Sequence, residues 1–253
     1  MKQEIEMILR LGGRGFRDSL FIGLAKLVFL IIRPFTIQTN IGRYLLADSV
    51  AKTGYAYFYC RRRSGDLGTI SESFEYRTMK AFRPKKGDIV IDCGANVGKY
   101  AFLASKLVGD AGKVLAIEPE KDNIGVLRKN IRLNNSSNIS VAPYAAWNKD
   151  KEITFYYHDS TGSSAKVKSK ISYKVKARTI ASIMREFGLK RIDWLKIDVE
   201  EAEMEVLEGT DLSCVKNIIL EYKASKRAAI KKILKKAGFS VTDLTPTYLL
   251  ATR

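Results

Sequence analysis

The sequence predicts an α/β domain with a Rossmann-like, mostly parallel sheet and helices on both faces, running from Gly87 to residue 253. Three observations carry that prediction. Residues 88–92 (DIVID) are a short apolar run that leads straight into a glycine turn, Cys93-Gly94-Ala95-Asn96-Val97-Gly98, and on into the helically spaced KYAFLASKLV of 99–108. A second apolar run, 114–118 (VLAIE), ends on an acid 26 residues after Asp92. A third, 194–197, ends on Asp198 and Glu200, at the kind of C-terminal strand tip where open α/β sheets place their chemistry.

Each element follows from its pattern. Pro84-Lys85-Lys86-Gly87 is a turn, and DIVID is apolar enough for a strand buried on both faces. The helix over 99–108 stops at the Gly109 to Gly112 stretch. Residues 122–133 form the next helix, with Ile124, Leu127 and Ile131 on one face, and 139–146 (ISVAPYAA) the third strand. Residues 152–157 (EITFYY) alternate as an exposed strand, and the polar loop at 159–164 follows. Residues 173–178 resume as a strand, and Thr179 caps a helix running through Phe187. After the strand at 194–197 come a fifth parallel-type strand at 215–222, a basic helix at 225–237, and a closing antiparallel pair at 239–244 and 248–252.

Residues 1–50 read as a helical extension, and 51–253 as the domain that contains the core at 87–253. Residues 19–32 (SLFIGLAKLVFLII) are 14 positions broken only by Lys26, short of the roughly 20 that a spanning helix needs. Arg33-Pro34-Phe35 follows in place of a small-residue cleavage site, so the run is not read as a signal peptide. Two accounts stay open: a helix packed on the domain or on a dimer partner, and a monotopic anchor through 19–35, with Arg10, Arg14, Arg17 and Arg33 facing anionic headgroups. Downstream, Tyr55 to Tyr59 (YAYFY) alternates weakly as a strand, and Arg61-Arg62-Arg63 with the Ser/Gly stretch after it forms a turn.

Composition narrows the chemistry. The formal charge is +17, and it is uneven: residues 1–86 hold 16 basic and 7 acidic side chains, 87–190 hold 17 and 10, and 191–253 hold 11 and 10. Such an excess attracts phosphates, anionic lipids or acidic glycans, or simply solvates the surface. Cys60, Cys93 and Cys214 are scattered and odd in number, which excludes a disulfide framework and a CxxC knuckle and fits a reducing, cytoplasmic setting. The single His158 leaves no histidine-rich metal site and no catalytic triad without it.

The pattern Asp92-Cys93-Gly94-Ala95-Asn96-Val97-Gly98 resembles the first motif of class I S-adenosylmethionine methyltransferases, and Glu118-Pro119 the second. Ile197-Asp198-Val199-Glu200-Glu201-Ala202-Glu203, followed by Leu207-Glu208-Gly209, resembles the FkbM-type family hallmark I-D-V-E-G-A-E with its L-x-G turn, over roughly 82–222. One departure is Glu201, which stands where the family has glycine. The resemblance implies a seven-stranded class I methyltransferase sheet and S-adenosyl-L-methionine as cofactor. Asp92 and Gly94 would lie beside its methionine part, Glu118 at its ribose, and Ala145, in Tyr144-Ala145-Ala146-Trp147, beside its adenine, with Ala95, Asn96, Gly98 and Pro119 also among the cofactor-binding residues. No metal is assigned. It further implies O-methylation of a hydroxyl on a sugar, glycan or small metabolite, with Asp198 as base or orienter and Glu200 and Glu203 supporting it. An RNA acceptor is the competing expectation, motivated by the charge and by the Arg61 to Arg63 triplet beside aromatics; a noncatalytic, membrane-attached binding protein is a third. The expected setting is the cytoplasm or the inner face of a membrane.

Overall fold

The computed structural model describes residues 12–32, 47–62, 64–71, 76–157, 166 and 169–253. Arg10, Arg33, Pro34, Phe35, Arg63, His158 and the loop at 159–164 lie outside the described residues.

Strand β4 (Ile89–Cys93) opens the central sheet, as its apolar run predicts, and is followed by helix α4 (Lys99–Val108), strand β5 (Lys113–Ile117), helix α5 (Lys121–Asn134) and strand β6 (Ile139–Ala142). Strand β10 (Ile192–Ile197), helix α7 (Glu203–Glu208), strand β11 (Val215–Glu221), helix α8 (Arg227–Lys236) and strands β12 (Ser240–Asp243) and β13 (Tyr248–Thr252) complete it. The sheet has seven strands in the order β12-β13-β11-β10-β4-β5-β6. All its pairings are parallel except those of β13, which runs against both neighbours and closes one edge. From β4 the chain moves outward to β5 and β6, then returns to lay β10 on the other side of β4. The topological switch point therefore lies between β4 and β10.

Period-two alternation divides the core in two. Val90, Val114 and Ala116 face one cluster with Tyr100, Phe102 and Leu127, from α4 and α5. Ile91, Leu115 and Ile117 face the other with Ile183, Val206, Leu207, Ile230 and Leu234, from helix α6 (Ile180–Glu186), α7 and α8. Helices thus cover both faces, as expected. Thr179 does cap α6, its hydroxyl oxygen accepting the Ser182 N–H at 3.1 Å.

Three readings change. The expected third strand, 139–146, is two: after β6 the chain leaves the central sheet, and β7 (Ala145–Ala146) joins β8 (Lys151–Tyr156) and β9 (Ser172–Arg178) in a separate sheet ordered β7-β9-β8. Pro143 follows Ala142 directly and cannot donate to a ladder. The Ser/Gly stretch after the arginines is not only a turn, because helix α2 (Asp66–Ser71) begins there, followed by α3 (Tyr76–Ala81). The amino-terminal part is not helical alone: β1 (Gly12–Gly13), β2 (Ser49–Lys52) and β3 (Tyr57–Cys60) form an antiparallel sheet around helix α1 (Phe16–Ile32), and a boundary at residue 50 falls inside β2. No described helix is long and apolar enough to cross a membrane.

The free edge of β3 is satisfied by side chains instead of another strand. Asn134 Oδ1 accepts the Tyr57 N–H and Asn130 Oδ1 the Tyr59 N–H, each at 2.7 Å, while Asn134 Nδ2 donates back to the Tyr57 carbonyl. One helical turn separates the two asparagines on α5, which matches the two-residue repeat of β3 closely enough for both to reach. Asn130 also donates to the Val97 carbonyl at 3.0 Å, so it ties this small sheet to the glycine turn.

Candidate active site

Three carboxylates gather at the C-terminal tips of the adjacent parallel strands β10, β4 and β5: Asp198, Asp92 and Glu118. Parallel register explains the convergence. Lys196 lies beside Asp92, and Asp92 beside Ala116, so Asp198 and Glu118 each emerge two residues later on either side of β4.

Lys196 is the group the sequence reading passed over. Its Nζ lies 3.2 Å from Asp92 Oδ1 and 3.4 Å from Asp198 Oδ2, and donates to the Gly94 carbonyl at 3.0 Å. The lysine and Asp92 side chains are 5% and 1% exposed, that of Asp198 24%. A buried ammonium is tolerable only when paired, and here one cation neutralises a buried anion and a half-open one together. Asp92 is thereby committed to the protein interior, where it positions Lys196, and Asp198 is the member of the three that opens outward. The signal was present: a lysine inside the apolar run 192–197 must find an acid, and β4 carries one in register.

The glycine turn is built for the chain as much as for a ligand. Gly94 has φ +76°, and a Cβ there would sit 1.8 Å from the Asp198 carbonyl oxygen. The Asp198 N–H donates to the Cys93 carbonyl at 3.1 Å, so the two strand tips touch through main chain and no side chain fits between them. Gly98, at φ +102°, would collide with Leu127 and Phe102, so it allows α4 and α5 to close on the sheet. Asn96 occupies the left-handed region at φ +49°, which asparagine tolerates better than most residues. The Ala95 side chain is buried in the core.

Glu118 is 5% exposed, and its Oε2 accepts the Asn96 N–H at 2.8 Å while Oε1 accepts the Glu120 N–H at 2.9 Å. Burial outweighs those bonds and pushes its carboxyl up to about 7. Each oxygen can accept a further donor, so a pair of hydroxyls is the natural complement of this carboxylate. Pro119 follows, half-buried. Ala145 is buried and belongs to a third cluster with Phe155, Val175, Ala177 and Ala202, so its side chain packs there and not in an open site.

After Asp198 the chain turns through two consecutive residues of positive φ, Glu200 at +50° and Glu201 at +78°. The second value explains why a glycine suits this position in the family hallmark: a Cβ is strained there. Glu201 is held by Lys223, and its carbonyl accepts from Lys226. Glu203, 3% exposed, takes the Glu201 N–H on Oε1 at 2.8 Å and faces Lys226 Nζ at 3.4 Å on Oε2. Burial raises its carboxyl above the ordinary range. Its place is therefore under the turn, where it fixes the backbone that carries Asp198 and the exposed Glu200. Among the described residues no group of three or more His, Cys, Asp or Glu side chains is arranged to hold a metal ion.

Arg61, the first of the three consecutive arginines, is engaged inside the protein. Arg61 makes a fork onto Asp66, at 2.9 Å from Nε and 2.7 Å from Nη2, and also reaches Asn123 Oδ1. Asp66 is buried, so this guanidinium is spent on starting α2 and fastening it to α5.

Comparison with known proteins identifies the family. The model of the methyltransferase FkbM domain matches residues 92–241, from the first site carboxylate to the closing strand pair. The methyltransferase sdnD of Sordaria araneosa is 27% identical over 192 residues, covering 60% of this chain and 74% of the relative. Methyltransferase 1 of Beauveria bassiana is 26% identical over 187 residues, covering 63% and 75%. The crystal structure of an FkbM methyltransferase from Methylobacillus flagellatus superposes with a TM-score of 0.51 at 15% identity, spanning all of this chain and 58% of that one, which shows a shared fold. With more than half of its length under the family model, and the Asp92 to Gly98 and Asp198 to Glu203 segments in contact, the chain belongs to the FkbM family of S-adenosyl-L-methionine-dependent methyltransferases.

Proposed function

We propose that this methyltransferase transfers a methyl group to a hydroxyl oxygen of a small acceptor: a sugar, a glycan or a small metabolite. The observation that carries the reading is Asp198, a half-open carboxylate at the switch point, fixed by Lys196 below it and by main-chain contact with Gly94 beside it. The residues fit the cofactor. Glu118 would take the two ribose hydroxyls on its remaining lone pairs, with Pro119 shaping the strand end. The turn over Gly94, Ala95, Asn96 and Gly98 would present main chain to the methionine end, and the Ala145 backbone would border adenine. Asp92 would act from beneath through Lys196.

When bound, the cofactor supplies an already activated methyl group, so O–CH3 bond formation accompanies S–CH3 cleavage and S-adenosylhomocysteine leaves. What the protein must add is alignment and a place for the hydroxyl proton. In this reading Asp198 accepts that proton, and Lys196 Nζ, 3.4 Å from its Oδ2, holds the carboxylate in place. Glu200, exposed on the left-handed turn next to Asp198, would orient the acceptor, and Glu203 holds that turn. An RNA acceptor is less well supported, since Arg61 is consumed internally and acids crowd the strand tips.

The test is incubation with methyl-labelled cofactor and separate sugar, glycolipid, small-metabolite and RNA fractions. Alkali-stable label in a hydroxyl-bearing small molecule or glycan is expected, and label confined to RNA overturns the reading. Asp198→Asn should lower transfer by roughly 100-fold or more while cofactor affinity stays within a few fold; unchanged turnover removes the assigned role.

A further inference from the structure

Helix α1 has two apolar sides, and the fold uses one. Ile22 and Ala25 are fully buried against the amino-terminal sheet. Phe16, Leu20, Leu24 and Leu27 are 86%, 48%, 38% and 56% exposed. Their spacing of four, four and three residues places all four on one stripe of the helix. Together they leave on the order of 400 Å² of apolar surface in water, a patch of the size that marks an interaction site. The helix is packed on the domain and still presents an apolar face.

At helical spacing Arg17 and Lys26 fall on either side of that stripe, and Arg14 lies two residues before the helix. The Arg17 side chain is 74% exposed, with its Nη2 3.7 Å from Asp18 Oδ1. The one acid in the helix, Asp18, is turned inward at 14% exposure. Residues 1–86 carry nine more basic than acidic side chains. Two copies of this face brought together would oppose like charges and bury less than the about 800 Å² per partner of a stable dimer. An anionic bilayer meets both features, since headgroups pair with the cations while the acyl boundary takes the leucines.

We infer that α1 is a monotopic docking element that seats the protein on an anionic lipid surface through Phe16, Leu20, Leu24 and Leu27. The helix lies in the plane of the interface and does not cross it, in keeping with its 17 residues. The test uses the full chain and vesicles of phosphatidylcholine, with or without an equal part of phosphatidylglycerol, in a co-sedimentation assay. The protein should partition onto the anionic vesicles at least about tenfold more strongly than onto the neutral ones. The triple variant Leu20→Gln, Leu24→Gln, Leu27→Gln should lose at least about tenfold of that partition, because these side chains make up most of the buried area. Arg14→Gln with Arg17→Gln should weaken anionic binding alone. Cofactor affinity should be unchanged in every variant, since none of these residues is in the site. Absence of partition, or equal partition of the triple variant, overturns the inference. So does a dimer in sedimentation equilibrium that the triple variant abolishes, which would give the face to a second copy.

Discussion

Replacing Lys196 by methionine tests the arrangement at the switch point most directly. Methionine has nearly the length of lysine and no charge, so the substitution leaves no large hole. It does leave Asp92, 1% exposed, without its cation, and it removes the bond to the Gly94 carbonyl. Stranding one member of a buried ion pair costs about 3–5 kcal/mol. Asp198 contributes little to this sum, because at 24% exposure water can solvate it. A loss of about 4 kcal/mol in a chain of 253 residues lowers the melting temperature by roughly 8–16 °C. The assay is denaturant unfolding of the wild type, Lys196→Met, Asp92→Asn and the double variant. Removing both charges is expected to restore at least about 2 kcal/mol relative to the single lysine variant, because the uncompensated anion is gone. A Lys196→Met protein within about 1 kcal/mol of wild type, or a double variant no more stable than the single, would refute the claim that the two acids share this cation.

Two further outcomes follow from the same site. Ionised Glu118 should accept the ribose hydroxyls, and burial has pushed its carboxyl up to about 7, so cofactor affinity should be level above that pH and fall toward tenfold per unit below it. The stability sign is opposite: an acid raised from 4.5 to about 7 on folding makes the unliganded protein lose stability as pH rises through that window. Calorimetric titration across the window, with Glu118→Gln as the flat control, decides it, and a pH-independent wild type contradicts the ribose role. At Glu201, φ is +78°, so Glu201→Gly should be more stable than Glu201→Ala by about 1 kcal/mol, both having lost the Lys223 pair. Equal melting curves for those two variants would show that the turn relaxes and stores no strain.

The order of the site was legible because its parts are local. An apolar strand, a glycine turn and an acid at the next strand tip are each written in a few consecutive residues, and parallel topology then brings tips to one edge. Asp92, Gly94, Glu118 and Asp198 could be chosen on that basis, and so could the closing antiparallel pair. The division of labour among them could not. Whether an acid faces solvent or a lysine is a matter of register between strands, and the pairing of Lys196 with Asp92 exists only once β10 lies beside β4. Glu203 looks like a third site acid in sequence, yet burial and the Glu201 N–H place it beneath the turn.

What the sequence determined by itself was the set of elements and the chemistry available, because strand and helix periods, turns and charged tips are nearest-neighbour properties. Tertiary structure decided which groups are consumed inside the protein and which remain for a ligand. Arg61 is taken by Asp66, Asn130 and Asn134 by the edge of β3, and one side of α1 by the core, while Asp198 and the leucine stripe are left outside. The reason is physical: desolvation makes every buried charge and backbone group find a partner, and those partners come from segments that the linear order keeps apart.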